Sequence, residues 1–132
     1  MDLEDRTSFA LRIKESQERQ LRVNHALYVG IRRYWSFGSK IALVRKGPSG
    51  DLVAAIGTVG RIIEADGMDR DEKKQCIENN WYGKIVFSQV ARLYPPVPVS
   101  ATELASIPPA LLHGHAVSDV QKIEDMSAKI VS

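Results

Sequence analysis

Alternating and helical patterns of apolar residues divide the chain into short elements separated by turn-forming residues. Residues 8–14 (SFALRIK) alternate, with Phe9, Leu11 and Ile13 on one side and Ala10 and Arg12 on the other, which predicts a first strand. Residues 15–27 are rich in Glu, Gln, Arg and Leu, good helix formers, and offer Leu21 and Ala26 or Leu27 for burial. They predict a short, mostly exposed helix. Residues 28–35 alternate again and predict a strand, with Arg32 and Tyr34 on one face and Arg33 and Trp35 on the other. Phe37-Gly38-Ser39 reads as a turn, residues 40–46 (KIALVRK) as a strand, and Gly47-Pro48-Ser49-Gly50-Asp51 as the hairpin that ends it.

The run 52–65 is almost continuously apolar but contains Gly57 and Gly60, which weaken a helix and permit the bulges by which a long strand bends. A bent central strand is therefore predicted. Residues 69–79 place acids first and lysines later, the order a helix dipole favours, with Cys76 and Ile77 as the inward side chains. Residues 81–93 return to strand composition, with Ile85, Phe87 and Val90 or Ala91 for the core. Tyr94-Pro95-Pro96-Val97-Pro98 should be a rigid extended connector, since proline is excluded from helix interiors and central strands. Residues 102–105 suggest a turn of helix. Ser118-Asp119-Val120-Gln121 has the form of a capping box opening a last helix, with Val120, Ile123, Met126 or Ser127, and Ile130 on one stripe. Strands separated by turns, with about three modest helices, predict an α+β fold: a small, mixed, mostly antiparallel β-barrel with peripheral helices.

At 132 residues the chain suits one domain, 1–132, with 1–7 read as a flexible N-terminal tail. The single cysteine excludes an internal disulfide, no run approaches the roughly 18 apolar residues of a membrane span, and the acidic N-terminus lacks a secretory pattern. These features predict a cytoplasmic protein without a membrane partner. Net charge is only +2, but residues 1–62 carry eleven basic against six acidic residues, whereas 63–132 carry seven against ten. A basic first half is what an anionic partner would require.

Gly38-Ser39-Lys40-Ile41-Ala42-Leu43, the strand Val53 to Ile62 that runs through Gly57, and Val86-Phe87-Ser88-Gln89-Val90 closing on Pro95-Pro96-Val97-Pro98 together resemble the PUA-like superfamily of small barrels, which includes the ASCH and EVE domains. The resemblance spans residues 8 to 131 in pattern and order, and the chain looks most like an uncharacterised, archaeal-type branch. It implies a barrel that binds RNA or a modified nucleobase. The Gly-x-Lys-x-x-Glu-x-Arg string of ASCH domains does not occur between residues 19 and 33.

Among individual residues, Arg32-Arg33-Tyr34-Trp35 joins two guanidinium groups to two aromatic rings, the combination single-stranded nucleic acid uses for phosphate contact and stacking. Lys40, Arg45 and Lys46 could extend a basic track along one strand, and Trp81, Tyr82 and Lys84 repeat the aromatic-plus-basic theme. The alternative for each aromatic is a place in the core. His113-Gly114-His115, His25 and Cys76 have no zinc-ligand spacing, and Asp66, Asp69, Asp71 and Glu72 lack the EF-hand pattern, so no metal or cofactor is expected. Neither a Gly-x-Ser-x-Gly elbow nor a P-loop is present. The resemblance to ASCH domains implies, as an alternative, a small amidohydrolase acting on a modified nucleoside, for which Lys40, Thr58 and Glu64 are residues of the required types. A homodimer or protein-interaction module would use the segment 95–98 with Leu104, Ile107, Leu111 and Leu112.

Overall fold

The computed structural model describes residues 8–30, 35–108, 112–117 and 120–131, the backbone alone for 113–117. In order they form β1 (Ser8–Arg12), α1 (Glu15–Asn24), β2 (Ala26–Val29), β3 (Lys40–Gly47), β4 (Gly50–Glu64), α2 (Arg70–Glu78), β5 (Gly83–Pro98), β6 (His113–Val117), α3 (Gln121–Glu124) and β7 (Ala128–Val131). Short 3-10 turns occupy Ala65–Gly67, Val99–Ala101 and Glu103–Ser106.

The strands make one curled, mixed sheet in the order β2-β5-β4-β3-β1-β6, with β7 also on β5. Among the described residues only the β1–β3 pair is parallel; the other ladders are antiparallel. The sheet is barrel-like but open, its path ending at β2 and β6. Its curl comes from two long strands. β4 runs for 15 residues and β5 for 16, and their ladder slips register between Val53 and Ala55 and on both sides of Val59. Such bulges increase local twist and turn a flat ladder into a curved one. The β3–β4 hairpin closes with Gly47 opposite Gly50, and Gly50 has φ +126°, a conformation L side chains rarely adopt.

Because side chains alternate across a strand, β1 and β3 supply two cores. Phe9, Leu11, Ile41 and Leu43 point to one face and pack with Leu21 of α1, Leu27, Trp35, Ile85 and Phe87. Ala10, Ala42 and Val44 point to the other and pack with Val53, Ile56, Leu104, Leu112, Val120 and Ile123. The sheet is therefore covered on both sides at its centre.

Four expectations are corrected. The first helix ends at Asn24, where His25 takes a left-handed conformation, and residues 26–29 are already β2. Ile77 is exposed; Cys76 alone of that pair is buried. The segment 94–98 is not a separate connector but the end of β5, because there β5 pairs with β4 on one side only, β7 reaching just to Tyr94. An edge tolerates prolines that a two-sided strand would not. The last helix is one turn, 121–124, after which β7 adds to β5, leaving Met126 and Ile130 exposed while Val120 and Ile123 are buried as the stripe predicted. Ser118 and Asp119 of the capping box lie outside the described residues. The string His113-Gly114-His115 begins β6. Among the described residues no helix is long and apolar enough to cross a membrane.

Candidate functional site

The parallel pairing of β1 with β3 brings Arg12 opposite Val44, so both strands deliver basic side chains to the same end of the sheet. α1 starts beside that end. Its spacing of i, i+4 and i+7 puts Glu15, Arg19 and Arg22 on one side of the helix, while Leu21 anchors it in the core. The result is a groove of about 730 Å³ lined by Arg12, Lys14, Arg19, Arg22, Arg45 and Lys46, with Glu15 and Glu18 as its carboxylates.

Two of the six cations are held. Arg12 makes a bidentate contact with Asp51, one N–H donating to Oδ1 at 3.0 Å and the other to Oδ2. Arg45 places Nε 3.4 Å from Glu18 Oε2. The hydrogen-bond geometry is not met, and this buried Nε–H has no acceptor. A buried donor left unbonded costs about 1–3 kcal/mol, so such a group favours an incoming acceptor. Among the described residues, Lys14, Arg19, Arg22 and Lys46 pair with no carboxylate.

Across the ridge formed by Arg12, Ile13 and Lys14 lies a second hollow of about 220 Å³, lined also by Leu11, Val29, Gly30, Tyr28 and Trp81. Tyr28 and Trp81 stack with ring centroids 4.7 Å apart and planes 12° from parallel. Tyr28 lies opposite Lys84 in the β2–β5 ladder, and Lys84 Nζ sits 5.7 Å from the Tyr28 ring centre. α2 reaches this pair through Glu72, whose carboxylate accepts from Lys84 Nζ at 2.6 Å and from the Tyr28 hydroxyl. α2 itself starts at Asp69, whose side chain accepts from the Glu72 amide at 2.8 Å. The Lys84 hydrogen bond, then that of Tyr28, holds the Glu72 carboxyl below its ordinary range. Burial, then the Glu72 carboxylate, pushes the Tyr28 hydroxyl up, and burial does the same to the Cys76 thiol.

The sequence-predicted residues fall in several places. Arg45 and Lys46 line the groove. Lys40 does not join them: it begins β3, five residues and about 17 Å along the strand from Arg45. Trp81 lines the aromatic hollow, and Lys84 lies behind it. Trp35 is only 3% exposed, edge-on to Phe9 at 5.5 Å, and its Nε1–H donates to the Tyr82 hydroxyl at 3.1 Å. Neither Trp35 face is free for a base. Arg32, Arg33 and Tyr34 lie outside the described residues. Lys40 and Thr58 are cross-strand neighbours, but Glu64 stands six residues further along β4, about 20 Å away, opposite Gly83. The three nominated hydrolytic residues do not converge. Leu104 and Leu112 are core residues, not a partner surface, and Leu111 lies outside the described residues.

Arg12, Lys14, Arg19 and Arg22 were not singled out by sequence. The helical spacing of Arg19 and Arg22 was readable; their meeting with Arg45 depends on the β1–β3 pairing, which was not. Among the described residues no group of three or more His, Cys, Asp or Glu is arranged to hold a metal. The chain matches no protein-family model and no curated protein.

Proposed function

We propose that this protein binds single-stranded nucleic acid, RNA above all, along the groove between α1 and the ends of β1 and β3. The observation that carries the reading is six cations against two carboxylates around one groove, next to a hollow walled by stacked Tyr28 and Trp81. Phosphates neutralise the first, and a base turned out of the strand packs against the second. Separate phosphate and aromatic surfaces are what single strands require, whereas a duplex offers its stacked bases only at their edges. Arg32 and Arg33 add to the same chemistry by sequence. The resemblance to PUA-like barrels points the same way, and a modified base is a ligand of the same class.

The test is a salt titration of binding to a fluorescent single-stranded RNA, with DNA of the same sequence beside it. Binding should weaken steeply with salt. In Arg19→Ala/Arg22→Ala the slope of log K against log salt should fall by about 1.4, two contacts at about 0.7 each for a single strand. Lys40→Ala, at the other end of β3, should leave the slope unchanged. Binding by the double variant equal to wild type, with the same slope, would overturn the assignment of the groove.

A further inference from the structure

Within the groove the two strand-borne arginines are in different states. Arg12 has two of its N–H groups satisfied by both oxygens of Asp51, so its fork is already filled. Arg45 is fixed on β3 with its Nε–H buried and unbonded, while Glu18 contributes a carboxylate at 3.4 Å without the geometry of a hydrogen bond. Both side chains of that ion pair are about 30% exposed, at 30% and 29%, so the pair lies at the groove surface although Nε itself is covered. A guanidinium that presents an unused, desolvated donor beside a carboxylate it does not bond well is arranged to exchange that carboxylate for a better-placed oxyanion.

We infer that Arg45 is the residue on which the groove seats a phosphate oxygen, and that Glu18 occupies that position in the free protein as an internal competitor. This rests on the nucleic-acid reading of the groove. The ligand chemistry is a phosphate ester oxygen, from a backbone phosphodiester or from a strand's terminal phosphate. When it arrives, Arg45 donates to it and Glu18, on the first turn of α1, is repelled towards water. The groove thereby discriminates against weakly held anions, which must displace a tethered carboxylate.

Binding of a 3′-labelled single-stranded RNA, carrying either a 5′-hydroxyl or a 5′-phosphate, is measured by fluorescence anisotropy for wild type and three variants. Glu18→Gln should tighten binding about threefold, the scale of a partly exposed ion pair. Glu15→Gln makes the same charge change in the same groove but removes no ion pair to Arg45, and should tighten it by less than half as much. Arg45→Lys keeps the charge, loses the Nε–H and should weaken binding about tenfold. A larger Arg45→Lys penalty for the 5′-phosphorylated strand assigns the terminal phosphate; an equal penalty assigns the backbone. Equal gains from Glu18→Gln and Glu15→Gln, or wild-type affinity in Arg45→Lys, overturn the inference while the groove reading stands. Absence of RNA binding by wild type at low salt overturns both.

Discussion

At position 83 glycine is demanded by backbone on the neighbouring strand. A Cβ there would lie 2.4 Å from the Ile63 carbonyl oxygen and 2.9 Å from Glu64 Cα, main-chain atoms that the β4–β5 ladder holds in place, with Val29 of β2 opposite on the other side. No flexible side chain is available to move aside. Gly83→Ala should therefore cost about 1–3 kcal/mol, the range for forcing extra volume into a packed site. Gly67→Ala, whose nearest contact would be Ile63 Cγ2 at 3.8 Å, should stay within about 0.5 kcal/mol of wild type. Urea unfolding followed by circular dichroism separates them, and equal midpoints for the two variants would refute the close-approach argument. The same scale explains why Trp35 and Trp81 looked alike in sequence. Each sits among tyrosine and basic residues; what distinguishes them is a partner far along the chain, Tyr82 for Trp35 and Tyr28 for Trp81.

Helix α2 is fastened to the sheet by one carboxylate that serves two strands, since Glu72 accepts from Tyr28 on β2 and from Lys84 on β5. Its carboxyl is held below its ordinary range in the folded protein and returns to about 4.5 when unfolded. A depressed folded value means the stabilisation is present above the unfolded pKa and is lost as pH falls through the folded one. Glu72→Gln should accordingly lower Tm at neutral pH, with the gap to wild type closing as pH is taken from 6 to below 4. Thermal melts across that range check it; a gap independent of pH would show that lost packing, not the carboxylate, is responsible. The elements themselves were legible where local pattern decides them: β1, β3, the bent β4 and the Asp69-capped α2. They were illegible where pairing decides. The prolines of β5 are tolerated because that stretch is an edge, and residues 128–131 form a strand because β5 offers them a partner, facts no local pattern carries. The groove follows the same logic: Arg45 and Lys46 stood out as charges, yet their company of Arg12, Arg19 and Arg22 arises from a parallel pairing across more than thirty residues.

For the molecule as a whole, the arrangement of two apolar clusters on opposite faces of shared strands bears on how it unfolds. β1, β3, β4 and β5 each contribute to both clusters, so neither can be dismantled without exposing the other's strands. That predicts one cooperative unit in spite of the open sheet. Leu104 tests it, being fully buried in the cluster opposite Trp35 and carried by a 3-10 turn outside the sheet. Leu104→Ala should cost about 2–5 kcal/mol, the range for truncating a buried leucine. If the two faces are coupled, that loss lowers the urea midpoint equally whether followed by circular dichroism or by tryptophan fluorescence, although Trp35 lies on the other side of the sheet. If the fluorescence midpoint stays at its wild-type value while the circular dichroism midpoint falls, the Leu104 face unfolds separately. The strands would then be held chiefly by the cluster around Trp35, Phe87 and Leu21, and the groove that α1 forms with β1 and β3 would outlast the loss of the opposite layer.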